Sequence, residues 1–62
     1  MKLTLEINMD NAAFEDAPGQ EAARILHKIA CKIQDWPGAN EFNLRLSDLN
    51  GNKVGHVTVS ND

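Results

Sequence analysis

Apolar and polar residues alternate strictly along residues 2–8. Leu3, Leu5 and Ile7 fall on one side of this segment, and the polar residues between them fall on the other. Successive side chains of a β-strand point to opposite faces of a sheet, so the alternation predicts a half-buried strand. The segment carries one lysine and no continuous apolar stretch, and we therefore interpret it as a strand rather than a signal peptide.

The stretch from Gln20 to Trp36 follows a helical period instead. Pro37 disfavours helical geometry in the residue before it and Gly38 favours a turn, so together they predict the end of the helix. Asp16 is a candidate N-cap, with Pro18 in the first turn. At 100° per residue the apolar positions form one arc, which predicts a helix laid on a sheet: Ala22, Ile25, Leu26, Ile29, Ala30, Ile33 and Trp36.

Residues 9–19 connect the first strand to the helix. Asn11 is positioned to cap a short turn over residues 12–14, and such a turn would place Phe14 at the end of the core. After the helix, residues 37–41 predict a tight return of the chain.

Residues 42–60 predict a β-hairpin around Asn50-Gly51. This dipeptide is typical of a two-residue type I′ turn, in which both central residues have positive φ. Paired positions then sum to 101, so that Leu44 faces Val57 on the buried side and Arg45 faces His56 on the exposed side. A loop of odd length would set apolar residues against polar ones, and the pattern therefore predicts an even loop.

The same register makes predictions about the base of the hairpin. Ser47 should face Val54 on the exposed side of the sheet, and Leu46 should face Gly55. We interpret Gly55 as leaving space that the helix or Trp36 fills.

The predicted fold is a single α+β domain over residues 1–62, with β-α-β-β order and one helix packed on a three-stranded sheet. We favour an antiparallel sheet in the order 1-3-2, with a parallel pair of strands 1 and 2 as the alternative. The predicted core comprises Leu3, Leu5, Ile7, Ile25, Leu26, Ile29, Ile33, Trp36, Phe42, Leu44, Leu46, Val57 and Val59.

Composition narrows the classes of function. The net charge of −3 disfavours electrostatic binding to nucleic acid or to anionic membranes. No apolar run approaches the roughly 20 residues needed to cross a bilayer, and a single cysteine fits a reducing cytoplasm. A chain of 62 residues buries little surface. We therefore predict a monomer–dimer equilibrium or a stable dimer that forms through an edge strand.

The sequence provides no catalytic constellation, and we predict neither an enzyme nor a cofactor. His27 and Cys31 are one helical turn apart, but two ligands do not complete a zinc site. Arg45 and His56 on the open face are the basis of an alternative hypothesis, a nucleic-acid-binding module. That face carries no aromatic residue on which bases could stack, which weighs against this alternative.

Two stretches resemble a group of very small uncharacterised proteins of phages, prophages and bacterial genomes. They are DNAAFEDAPGQEAARIL, residues 10–26, and LSDLNGNKVGHVTV, residues 46–59. In that group an Asn-Ala-Ala-Phe segment leads into a helix, and an Asp-x-Asn-Gly-Asn-x-x-Gly hairpin ends the chain. The resemblance implies an accessory protein of a mobile element that acts by binding a host protein, in some cases a defence component.

The function hypothesis that follows is a non-enzymatic protein-binding module of the cytoplasm, or of the host cytoplasm if a phage encodes it. Loops on a rigid scaffold commonly carry binding, and negative charge suits a partner with a basic surface. The predicted contact residues lie in the connector and at the start of the helix: Asp10, Phe14, Glu15, Asp16 and Glu21.

Overall fold

A computed structural model describes residues 1–38 and 41–60. Strand β1 spans Lys2–Ile7, a short 3₁₀-helix spans Ala12–Phe14, and helix α1 spans Pro18–Gln34. Strands β2 and β3 span Phe42–Ser47 and Lys53–Ser60. The three strands form an antiparallel sheet in the order β1-β3-β2. The predicted α+β fold and strand order are therefore confirmed, because β1 and β2 each pair with β3 rather than with each other.

Helix α1 begins and ends two residues earlier than the pattern predicted. Pro18 occupies the first helical position, where its missing N–H costs no hydrogen bond. Ala17, not Asp16, is the N-cap, and its methyl side chain cannot accept a capping bond. Trp36 follows the helix, and its ring packs against that of Phe42 with the two ring centroids 5.7 Å apart. The predicted return over residues 37–41 includes residues 39 and 40, which lie outside the described residues.

The core lies between α1 and the sheet, and the 3₁₀-helix closes one end of it. The short turn over Ala12–Phe14 and the burial of Phe14 are as predicted, but Asn11 occupies the N-cap position without a side-chain capping hydrogen bond. Within the predicted core, Leu3 and Leu26 are instead exposed, while Leu44 and several others are half-buried. The buried apolar residues are Phe14, Ile25, Ile29, Leu46, Val54, Val57 and Val59.

Leu26 is exposed because α1 is rotated about its axis relative to the predicted arc. Glu21, Ile25 and Ile29 are the buried helical residues, and they lie on the side of the arc away from Leu26. Within the part of the chain that the structure describes, no helix is both long enough and apolar enough to span a membrane.

The hairpin has the predicted register but not the predicted loop. In the observed pairs, which run from Phe42–Val59 to Leu46–Gly55, the two residue numbers sum to 101 as predicted. Beyond them Ser47 pairs with Lys53, so one extra residue, Val54, bulges from β3. The predicted pairing of Ser47 with Val54 is therefore wrong, and Val54 is buried in the core rather than exposed.

The bulge compensates for a loop of odd length. Gly51 has a φ of 87°, but no non-glycine residue in the described ranges has a positive φ, which rules out a type I′ turn at Asn50-Gly51. The Gly51 N–H donates to the Asp48 carbonyl and the Asp48 N–H to the Asn52 carbonyl. This arrangement is that of a three-residue loop with glycine in the left-handed region. The expectation of an even loop was wrong because it did not allow for a bulge.

Candidate interaction surface

Asp48 organises the hairpin loop from the inside. Its side chain is 5% exposed, and Oδ1 accepts the backbone N–H groups of Asn50 and Asn52, each at 2.9 Å. Oδ2 accepts a hydrogen bond from the side-chain amide of Asn11 at 3.1 Å. Asn11 therefore ties the connector to the loop.

Glu21 holds the same loop from the helix. Its side chain accepts two hydrogen bonds from the Arg24 guanidinium, at 2.8 and 2.9 Å, in a bidentate pair. Oε2 also accepts the backbone N–H of Leu49 at 2.7 Å, and Arg24 donates to the Ser47 carbonyl at 3.4 Å. The first turn of α1 is thereby joined to the loop over residues 48–52, which we call the Leu49 loop.

Both carboxylates are held in the charged form. The hydrogen bond from Arg24 lowers the pKa of Glu21 against the opposing effect of burial, and the Leu49 N–H lowers it further. Burial alone would raise the pKa of Asp48. The donors from Asn52, Asn11 and Asn50 outweigh burial and lower that pKa. Neither carboxylate is placed as a proton donor at neutral pH, and their role in this geometry is to fix the loop.

Leu49 itself points outward from this anchored backbone. Its side chain is 72% exposed, although its N–H is bound to a residue only 7% exposed, Glu21. Leu49 borders an open depression of about 280 Å³ on the surface. The depression is lined by Ala13, Asp16, Ala17, Gln20, Glu21, Arg24 and Leu49.

The predicted contact residues separate into two groups. Asp10, Glu15 and Asp16 are exposed, and we call them the acidic surface. Phe14 is a core residue and Glu21 is bound to Arg24 and Leu49, so neither is free to contact a partner. Because the Asn11 amide binds Asp48, the acidic surface adjoins the Leu49 loop.

Sequence reasoning missed the role of Asp48 and misplaced that of Glu21. An aspartate at the start of a turn commonly accepts backbone N–H groups within the turn, so the Asp-x-Asn-Gly-Asn run contained a signal for Asp48. Glu21 carried no comparable signal, because the Leu49 N–H that it accepts is 28 residues away.

The open face of the sheet carries the alternative nucleic-acid residues in one row. Arg45 lies opposite His56, and His56 lies opposite Glu6 on its other side. All three residues are exposed. A carboxylate in this row opposes phosphate binding, which depends on clustered positive charge.

His27 and Cys31 are both exposed on α1. Among residues 1–38 and 41–60, no group of three or more histidine, cysteine, aspartate or glutamate side chains is arranged to hold a metal ion.

The chain matches no protein-family model, and comparison with curated proteins and with solved structures likewise finds no match. The interaction surface is therefore interpreted from its own geometry.

Proposed function

We propose that this protein is a small non-enzymatic module that binds another protein through Leu49 and the acidic surface. The observation that carries the proposal is that Leu49 is exposed at 72% on a backbone held by two buried carboxylates. An exposed apolar side chain is common by itself. Here it is displayed by a loop that is already ordered, which reduces the entropy lost when a partner binds.

Charge beside Leu49 indicates the kind of partner. Asp16 lines the depression next to Leu49, and Asp10 and Glu15 extend the negative charge along the connector. Such a rim accelerates encounter with a positively charged surface and disfavours other partners. The proposed partner surface is therefore basic around an apolar pocket that accepts Leu49.

Origin and location form a second part of the proposal, which rests on the resemblance of residues 10–26 and 46–59 to small phage and prophage proteins. We propose that a phage or mobile element encodes the protein, that it acts in the host cytoplasm, and that its target is a host protein such as a defence component. We also propose a dimer formed through an edge strand, which rests on the small size of the chain and on its exposed strand edges rather than on the resemblance.

The test begins with tagged protein in a host lysate and mass spectrometry of what it retains. With the partner in hand, Leu49→Ala should weaken binding by roughly tenfold or more, since removing a leucine side chain from water contributes about 1.5–3 kcal/mol and tenfold in affinity corresponds to about 1.4 kcal/mol. The matched control is Leu26→Ala, which removes an equally large exposed leucine side chain elsewhere on the surface and should leave the affinity of the single module unchanged.

The double reversal Glu15→Lys and Asp16→Lys tests the acidic surface in the same assay. It should slow association and reduce the dependence of the rate on salt, with the fold verified by circular dichroism. Equal affinities for wild type, the Leu49 variant and the double reversal would refute the proposed surface. Retention of nucleic acid in place of a protein would favour the Arg45 and His56 alternative.

A further inference from the structure

Strand β1 lies at an edge of the sheet with its outer hydrogen-bonding groups directed away from β3. The Asn8 N–H donates to the Val54 carbonyl at 2.7 Å. Backbone groups of an antiparallel strand alternate in direction, so the even-numbered residues of β1 point theirs toward β3. Leu3 and Leu5 therefore present their N–H and C=O groups at the free edge, where another strand can pair with them.

The helix flank above β1 is apolar, unlike the flank above β2. Lys28 and Lys32 border a depression together with residues of β2, so this flank of α1 faces β2. Leu26 and Ala30 lie on the opposite flank, which consequently faces β1. Leu3 is 49% exposed and Leu26 is 45% exposed, and the β1 side of the molecule thus leaves apolar surface uncovered.

The two edges differ in whether they tolerate a second copy. A two-fold axis at the edge of β2 would bring Lys28 and Lys32 toward the same lysines of the other copy. Lysines that flank an edge strand are a common protection against such pairing. A two-fold axis at the edge of β1 would instead bring Leu26 and Leu3 toward their equivalents and remove apolar surface from water.

We propose that β1 is the interface of an antiparallel, two-fold symmetric homodimer with a continuous six-stranded sheet. The sequence of β1 is complementary to itself about Thr4. With paired positions that sum to 8, Leu3 faces Leu5 of the second copy, and the outward-pointing backbone groups of both residues bond across the axis.

Charge pairing selects this register. Lys2 and Glu6 lie on the open face, and in this register Lys2 of each copy faces Glu6 of the other. These positions form non-hydrogen-bonded pairs, in which the side chains of antiparallel strands approach most closely. In the neighbouring registers, in which paired residue numbers sum to 6 or to 10, Lys2 faces Thr4 or Asn8 and both ion pairs are lost.

The experiment measures dissociation constants by analytical ultracentrifugation at low ionic strength, because salt screens exposed charges. Lys2→Glu and Glu6→Lys should each weaken self-association roughly tenfold or more, since both symmetric pairs change from attraction to repulsion. Combining the two changes in one chain restores opposite charges in both pairs and should restore the dimer. Lys28→Glu, on the β2 side, is the control and should not weaken it.

Mixing the two single variants gives a sharper result. In a complex of one Lys2→Glu chain with one Glu6→Lys chain, position 2 of each chain faces position 6 of the other chain. The Lys2→Glu chain then presents two acidic positions and the Glu6→Lys chain two basic ones, so both pairs again join opposite charges. The mixture should therefore form a heterodimer more tightly than either variant alone forms a homodimer. Circular dichroism verifies that the exposed substitutions leave the fold intact.

A strictly monomeric wild type at high micromolar concentration would overturn the proposal. So would a dimer that neither single change weakens, or one that the double change fails to restore. The proposal specifies the edge-strand dimer of the proposed function and does not rest on the Leu49 surface, because the residues that line the depression beside Leu49 do not belong to β1. The charge variants of β1 should therefore leave the affinity of a single module for its partner unchanged.

Discussion

At the scale of single residues, Gly55 has a requirement that its sequence context did not indicate. A Cβ atom at Gly55 would overlap the Glu6 carbonyl oxygen and would lie 2.8 Å from the Glu6 carbonyl carbon. The atoms in the way belong to the backbone of β1, which cannot move aside as a flexible side chain can. The prediction that Gly55 leaves room for the helix or for Trp36 is therefore wrong. The glycine permits β1 and β3 to approach closely.

We expect Gly55→Ala to destabilise the protein by about 1–3 kcal/mol or more, because the strands must separate to accept the methyl group. Gly19→Ala is the matched control, since a methyl group at Gly19 would have no neighbouring atom within 4 Å and alanine is favoured over glycine in a helix. Urea denaturation of both variants measures the difference. Similar free energies of unfolding for the two variants would contradict the close approach of β1.

At the scale of elements, the orientation of α1 about its axis is set by polar as well as apolar contacts. The predicted apolar arc included Leu26 and excluded Glu21, but the buried face includes Glu21 and excludes Leu26. The hydrogen bonds that Glu21 accepts from Arg24 and from the Leu49 N–H favour the orientation of α1 in which Glu21 faces the sheet. A carboxylate removed from water requires such partners, and here they are provided.

This orientation predicts unequal effects of two similar substitutions in α1. Ile29→Ala should cost about 2–5 kcal/mol, because Ile29 is a core residue and its loss leaves a cavity. Leu26→Ala should cost far less, close to the effect of about 0.5 kcal/mol that is typical of surface positions.

Thermal melts at low micromolar concentration separate the effect on folding from any effect of Leu26 on dimerisation. Equal losses of stability in the two variants would mean that the arc drawn from the sequence describes the buried face correctly.

At the scale of the whole molecule, the same two carboxylates connect three elements at one end of the domain. Asp48 joins the hairpin loop to the connector through Asn11, and Glu21 joins α1 to that loop. In so small a domain the net stability is a small difference between large terms. The protonation state of these two groups should therefore affect global unfolding.

We expect stability to fall on acidification. The folded-state pKa values of Glu21 and Asp48 are both depressed. Their contribution is fully present above the unfolded-state values, which are about 4, and is lost as the pH falls through the lower folded values. Urea denaturation from pH 7 to pH 3 should show nearly constant stability down to about pH 5 and a decline below about pH 4.

The variants Glu21→Gln and Asp48→Asn provide the control for this interpretation. Each should be less stable than wild type at neutral pH and should lose less stability between pH 5 and pH 3. Glu15→Gln removes an exposed carboxylate of the acidic surface and should retain the acid sensitivity of wild type. An unchanged acid profile in both buried-site variants would assign the decline to other groups.

The sequence by itself determined the elements, their order and the main register of the hairpin. Alternation over residues 2–8, the helical period after residue 20 and the sum of 101 between β2 and β3 are local or nearly local patterns. They could be predicted because side-chain direction follows directly from the period of each element.

Only the tertiary structure decided the orientation of α1, the bulge at Val54 and the role of Gly55. The bulge follows from the odd length of the loop between β2 and β3. The other two depend on atoms distant in the chain: the orientation of α1 on the Leu49 N–H that Glu21 accepts, and the role of Gly55 on the Glu6 carbonyl. Phe14 and Glu21, which were predicted as contact residues, are buried in the structure for the same reason. Periodicity identifies which residues can be buried, but the partner that makes burial of a carboxylate favourable is supplied by the fold.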